Sequence, residues 1–207
     1  MSQINLNDLF AKLRSKTFSD PSHGDLFYNF YMYQYPASAE YELREKLLEL
    51  KDKLIRPADF IDTLALNVFD EFCDYLKGIE FGDEDPSLLD YLLRTDNEAP
   101  DEVHETLNQL ADGDEFIQYL DARIQEHIEK QDADHKRPYI FLYGIGQMYP
   151  YLRANTLLTK YEPLNRSNAY KIILFYPGTK DDTRFRLFGL LNDDHTYRAH
   201  LLINDED

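Results

Sequence analysis

The sequence predicts an α/β fold: a mostly parallel sheet flanked by helices, with an acidic all-helical middle segment and a C-terminal β-hairpin at the sheet edge. Three observations carry this. Tyr139 to Tyr143 is an unbroken apolar and aromatic run ended by Gly144, the pattern of a strand covered on both faces. Ile172 to Tyr176 repeats it, with Pro177-Gly178 as its stop. Between them Leu157, Leu158 and Tyr161 recur at helical spacing, and Pro150 suits a first helical position, where a missing N–H costs nothing. Strand, helix and strand form a βαβ unit, the core of a parallel sheet. The loops at the strand ends are where such sheets place ligands or partners.

The remaining elements follow in chain order. Leu6, Leu9, Phe10 and Leu13 share a helical face, with Asn5 or Asn7 available as a cap. Asp20-Pro21 and His23-Gly24 break the chain. The aromatic stretch Leu26 to Tyr35 reads as a first strand ended by Pro36. Ser38 can cap a helix running to about Leu54, with Leu43, Leu47, Leu50 and Leu54 inward. The pairs Glu40/Arg44, Glu42/Lys46 and Glu49/Lys53 lie four apart on its outer face. A weaker strand fits Leu54 to Ile61, although Pro57 argues against a central one.

A helix is expected over roughly 63–77, with Leu64, Val68, Phe72 and Leu76 on one side and Gly78 as its stop. Three more follow: one opening at Asp85-Pro86, with Asp as cap and Pro in first position, one over about 101–111, and one over about 114–130. The last has Phe116, Ile117, Leu120, Ile124 and Ile128 inward. RFRLFGLL (184–191) and TYRAHLLI (196–203), joined by a turn at Asn192-Asp193-Asp194, read as a hairpin or strand pair at the sheet edge. The 207 residues suit a single α/β domain over 1–207. Within it lie a helical acidic insertion at about 63–135 and a C-terminal βαβ core at about 137–203.

The net charge of −17 is concentrated. Residues 67–135 hold 21 acidic and 4 basic side chains, which accounts for all of it, while the remaining residues balance at 18 of each. Such a segment repels nucleic acid, whose backbone is bound by Lys and Arg, so no direct nucleic-acid binding is expected. The charge reads either as a solvated helical face or as steering toward basic partners. No run reaches the ~18 apolar residues of a membrane span. The N-terminus lacks an apolar signal-peptide core, and Cys73, the single cysteine, fits a reducing compartment. A cytoplasmic protein is expected.

Chemistry is sparse. Gly144-Ile145-Gly146 follows a strand and precedes a helix, the context of a phosphate loop. The third glycine of the dinucleotide fingerprint is Tyr149, however, and no Walker-type loop is present. The glycines therefore serve a tight turn or a ligand cradle. Arg153, placed one turn into the next helix, is an anion clamp, an interface anchor or a salt-bridge partner of Glu162 or Asp181. Gly178 and Lys180 lie in the second strand-end loop. Arg184 and Arg186 share one strand face opposite Phe185 and Leu187; with Arg198 they form either a solvated face or a weak anion site. The six histidines make no zinc-like pair, no GxSxG elbow occurs, and Asp193-Asp194-His195 suits a turn. Asp181-Asp182 could hold Mg²⁺ but more commonly binds water. No catalytic residue, metal or cofactor is assigned.

The order of motifs in the C-terminal third resembles the BrxB family of bacteriophage exclusion (BREX) defence systems. The residues that carry the resemblance are Gly144, Gly146, Tyr149, Pro150, Arg153, Leu157 and Leu158, then Tyr176-Pro177-Gly178, Leu187-Phe188-Gly189 and Tyr197-Arg198-Ala199. The sequence departs from the family's pattern at Asp194-His195-Thr196. The resemblance implies a small accessory protein of a multi-gene antiphage system that methylates host DNA and blocks unmodified phage. The implied partners are a PglZ-type phosphatase-like protein first, then a BrxC-type ATPase or a methyltransferase; a homodimer is compatible. The expectation is a non-enzymatic interaction module with candidate contacts at Gly144, Gly146, Tyr149, Arg153, Gly178, Lys180, Arg184 and Arg198. The alternative is a degenerate nucleotide or phosphate binder using the Gly144–Gly146 loop and Arg153.

Overall fold

The computed structural model describes residues 6–19, 30–55, 61–82, 84–130, 136–165, 170–181, 184–192 and 199–202. The chain opens with α1 (Asn7–Arg14) and α2 (Lys16–Ser19), then β1 (Phe30–Tyr35) and α3 (Glu40–Leu54). Next come β2 (Ile61–Asn67) and the helices α4 (Val68–Lys77), α5 (Leu88–Thr95), α6 (Pro100–Ala111) and α7 (Asp114–Glu129). The chain then forms β3 (Lys136–Tyr143), α8 (Ala154–Tyr161) and β4 (Lys171–Asp181). It closes with β5 (Arg184–Leu187), β6 (Leu191–Asn192) and β7 (His200–Leu201).

Among the described residues the strands order as β2-β3-β4-β1-β7, every neighbouring pair parallel. The connection from β1 to β2 crosses the sheet one way, and those from β2 to β3 and β3 to β4 step back. Because parallel crossovers are right-handed, this reversal puts α3 on one face and α4 to α8 on the other. Alternate side chains of each strand then enter two separate cores. Tyr31, Tyr35, Tyr139, Phe141, Ile173 and Phe175 pack with α1, α2 and α3. Phe30, Met32, Ile140, Leu142, Ile172, Leu174 and Tyr176 pack with α4 to α8. The fold is thus the expected mixed α/β architecture, a mostly parallel sheet between helical layers. The acidic helices α4 to α7 form much of one layer.

Several boundaries differ from the sequence reading. The helix expected from residue 63 begins at Val68, and Ile61 to Asn67 form a strand. Leu64 and Val68 are four apart, which mimics one helical face, but they belong to successive elements. Asn67 ends the strand and caps α4 by accepting the Phe69 N–H at 3.1 Å. This strand lies just beyond the weak one expected at 54–61, because α3 runs through Leu54. Ser87, not Asp85, caps α5: its hydroxyl accepts the Asp90 N–H at 3.2 Å. Asp85 instead takes two hydrogen bonds from Arg94, at 3.1 and 2.6 Å. Ser38 lies in a 3-10 turn (Ala37–Ala39) before α3 and does not cap it. The three helical ion pairs expected on α3 are all formed, at 3.3, 2.6 and 3.6 Å.

The C-terminal hairpin has different strands from those expected. Pro177-Gly178 does not stop β4, which passes Pro177 and turns back into β5, pairing Gly178 with Leu187 and Asp181 with Arg184. Pro177 marks the handover, since it is the last β4 residue in register with β1. Beyond it, among the described residues, the strand has only β5 beside it, and β6 then pairs with β5. The terminal segment expected to join that hairpin runs instead as β7, parallel to β1, where the Leu202 N–H donates to the Met32 carbonyl at 3.0 Å. Of the turn expected at Asn192-Asp193-Asp194, Asn192 instead ends β6, and 193–194 lie outside the described residues.

One buried bond ties the N-terminal helix to the sheet: the Tyr139 hydroxyl donates to the Leu13 carbonyl at 2.8 Å. Replacing Tyr139 with Phe leaves that carbonyl without this donor and is expected to cost about 1–2 kcal/mol. The readout is a lowered urea midpoint with an unchanged slope; an unmoved midpoint would show that this bond does not secure the helix.

Candidate functional site

The predicted site residues cluster at the carboxyl ends of β3 and β4. Gly144 leaves β3 with φ +76°, in the left-handed region where a side chain is strained. A 3-10 turn over Ile145–Met148 follows, anchored by the buried Ile145 and Met148. The Tyr149–Pro150 peptide is cis. Helix α8 starts only at Ala154, so Pro150 is not its first residue. Arg153 is its N-cap residue rather than one turn inside it.

The two glycine loops close on each other. A Cβ at Gly146 would lie 2.8 Å from Pro177 Cγ and 2.9 Å from Phe188 Cε1, and one at Gly144 would lie 2.1 Å from Asn67 Oδ1. One at Gly178 would meet the Arg186 carbonyl oxygen at 2.2 Å. At all three positions the space beside the glycine is filled by the protein's own atoms, which favours the tight-turn reading over the ligand cradle.

From this packed base a ladder of aromatic groups reaches the surface. The Arg153 guanidinium lies 5.8 Å from the Tyr149 ring centroid, within cation–π range. The Tyr149 ring meets Phe188 edge-on at 6.4 Å. Phe188 belongs to the β5–β6 turn, which the Leu190 N–H closes onto the Leu187 carbonyl at 3.1 Å. Phe188 and Gly189 both have positive φ, +57° and +75°. A bulky residue rarely adopts that conformation. It holds Phe188 39 % exposed, with Leu190 82 % and Leu191 37 % exposed beside it. Tyr151, in the loop before α8, lies 3.3 Å through its hydroxyl from His104 Nδ1 of α6, which joins the acidic layer to the same edge.

A polar group flanks this surface. The Arg44 guanidinium donates to Glu40 at 3.3 Å and also to Gln147 in the 3-10 turn, so α3 is tied to the β3 loop across the sheet edge. The Tyr35 hydroxyl donates to Glu40; burial first, and then the Glu40 carboxylate, push its pKa far up. Burial and Asp70 likewise raise that of Tyr143, and burial and Asp70 raise the Cys73 thiol. Each shift moves the group away from ionisation near neutral pH. These phenols are suited to hydrogen bonding rather than acid–base work, and Cys73 is not activated as a nucleophile.

Of the predicted site residues, the structure brings Gly144, Gly146, Tyr149, Arg153 and Gly178 together. Lys180 and Arg184 lie on the β4–β5 hairpin, opposite Phe185 and Asp181 in register. Arg198 and the Asp193-Asp194-His195 cluster fall outside the described residues. Sequence reasoning missed Phe188, Leu190 and Gln147 as members of this edge. The signals there, the Leu187-Phe188-Gly189 motif and the turn that Gly189 marks, do not say which apolar residues the turn leaves exposed. Among the described residues, no three His, Cys, Asp or Glu side chains gather so as to hold a metal ion, and no helix is long and apolar enough to cross a membrane.

The model of the BrxB family, described as BREX protein BrxB, matches residues 66–202. The chain belongs to the BrxB family. A relative from Bacillus cereus (strain H3081.97), named BREX protein BrxB, is 25 % identical over 214 residues, covering 99 % of this chain and all of the relative. No solved structure matches. The family match takes in the acidic helices as well as the glycine loops, a wider span than the C-terminal motifs that carry the resemblance in the sequence.

The packing at the loops can be checked with paired alanine substitutions. Gly82 and Gly144 both have positive φ, but a Cβ at Gly82 meets nothing within 4 Å. Gly82→Ala is expected to lose only the backbone preference, of order 1 kcal/mol, and Gly144→Ala about 1–3 kcal/mol more. Thermal unfolding of the two variants makes the comparison; equal losses would mean that the β3 loop has room beside Gly144.

Proposed function

We propose that this BREX protein is a non-catalytic docking module whose strand-end face captures another component of its defence system. The observation that carries this reading is the exposed surface of Arg153, Phe188, Leu190 and Leu191, with the half-buried Tyr149 ring between Arg153 and Phe188. Its residue types are apolar, aromatic and Arg, and tyrosine and arginine in particular dominate the energetics of protein interfaces. The surface stands on a rigid base, because the glycine loops beneath it are packed against side chains and the β5–β6 turn is hydrogen-bonded shut. A preorganised apolar surface loses little conformational freedom on binding. The turn conformation of Phe188 costs about 1–3 kcal/mol, and contact with a partner is one use that offsets such a cost.

The family supplies the class of partner. A PglZ-type phosphatase-like protein is our first choice, with a BrxC-type ATPase or a methyltransferase next. Lys180 and Arg184, on the β4–β5 hairpin, and Arg198, later in the sequence, are proposed as further contact residues. The acidic helices are proposed to steer encounter with basic surfaces and to keep the protein off nucleic acid.

Capture of each system component by the tagged protein tests this directly. Arg153→Ala and Leu190→Ser are each expected to weaken capture about tenfold or more, with an unchanged melting temperature, since both side chains point away from the core. Normal capture by the folded double variant would sink the assignment. The phosphate-binding alternative is the weaker reading because protein atoms fill the space beside Gly144 and Gly146. A thermal-shift series with nucleotides and inorganic phosphate is expected to give no stabilisation; a dose-dependent rise would reverse that ranking.

A further inference from the structure

We propose that the outer face of α3 is a self-association surface that packs in parallel against α3 of a second copy, about a two-fold axis. The helix buries Leu43, Leu47, Leu50 and Leu54 against the sheet. Along one flank it shares a groove with Leu6, Asn7 and Phe10 at the start of α1, lined on its own side by Lys46, Glu49, Leu50 and Lys53. The line of the helix farthest from both contacts is apolar: Tyr41 is 84 % exposed, Leu48 56 % and Ile55 39 %. Single exposed apolar residues are common. Three at intervals of seven make a straight seam, since seven residues span about two turns, or ~10.5 Å. That period is the one by which one helix keeps a single line against another.

The charges beside the seam decide what covers it. On a helical projection Arg44 and Lys51 lie roughly 40–60° to one side of the seam, and Glu45 and Asp52 lie roughly 40–60° to the other. Each flank therefore carries one sign. In a parallel two-fold pair the basic flank of one helix faces the acidic flank of the other at the same height. Arg44 then meets Glu45 of the second copy, and Lys51 meets its Asp52. An antiparallel pair would instead set basic flank on basic flank, with Arg44 beside Lys51 of the second copy and Glu45 beside its Asp52. Like charges at such positions repel. The surface is complementary to itself in one orientation, which points to a second copy of this chain. Arg44 is also held in place by Glu40 and Gln147, and a guanidinium has five donors to share.

A seam of three apolar residues per chain is smaller than the ~800 Å² per partner of a standard interface. The association is accordingly weak and concentration-dependent, and it uses the face of the sheet opposite α4 to α8. Sedimentation velocity of the full chain between roughly 10 and 500 µM should show the average mass rising toward that of a dimer, with Leu48→Glu reducing the association at least tenfold. Orientation is read with Tyr41→Cys in a Cys73→Ser background, which removes the native thiol. Mild oxidation should cross-link this variant to itself, because a parallel pair sets residue 41 against residue 41, whereas an antiparallel pair sets it near Ile55. The proposal is overturned if the wild-type chain stays monomeric across the range, if Leu48→Glu associates normally, or if the dimer forms without the cross-link. Loss of capture of another system component by Leu48→Glu, in a chain that stays monomeric, would assign the seam to that partner and equally overturn the pairing.

Discussion

The sheet depends on β4. Ile172 to Tyr176 are fully buried, and this strand alone pairs with both β3 and β1. Without it the β2–β3 pair and the β1–β7 pair would be separate two-stranded ribbons, which are marginal in water. Its alternating side chains also supply both cores, Ile173 and Phe175 on one face and Ile172, Leu174 and Tyr176 on the other. The same strand then leaves the parallel sheet at Pro177 and becomes the first arm of the hairpin. The element that holds the sheet together thus also carries the proposed docking surface out to solvent.

That coupling explains the glycines. Gly178 lets the Arg186 carbonyl approach, Gly146 admits Pro177 and Phe188, and Gly144 makes room for the Asn67 side chain that caps α4. Each is a close approach between two segments of this chain, so the loops are joints rather than cradles. The joints put Tyr149, Arg153 and Phe188 side by side, although 35 residues separate Arg153 from Phe188 along the chain. The polar tie from Arg44 to Gln147 adds a link from α3, on the opposite face of the sheet, to the same loop.

Much of this was legible in the sequence, and the misses have physical causes. The runs 139–143 and 172–176 announced buried parallel strands because nothing polar interrupts them. The leucine stripe and ion pairs of α3 were equally plain. In sequence most of β2 looks helical, because Leu64 and Val68 satisfy a helical period across the boundary between two elements. A local pattern cannot show that Asn67 divides them. The hairpin partners differ from those the sequence suggests because proline is a reliable stop only for a strand that needs its N–H. At position 177 that donor is dispensable, as β1 ends there and β5 takes over. Pro150 and Arg153 precede a helix that starts later than the sequence suggests, since the 3-10 turn and the cis Tyr149–Pro150 peptide ahead of them leave no periodic signature.

The sequence by itself determined the α/β class, the inward faces of most helices, the concentration of negative charge in residues 67–135 and the kinship with the BrxB family. These rest on short-range periodicity and on motif order, both of which are properties of the chain as written. Only the tertiary structure decided the strand order, the use of β4 in two sheets and the division of alternate side chains between two cores. It also decided which apolar residues stay outside. Leu187 and Leu190 are alike in composition, yet one is buried and the other is exposed to water. The difference arises because β4, β5 and the glycine joints meet at that point, and such long-range contacts are encoded in no single segment.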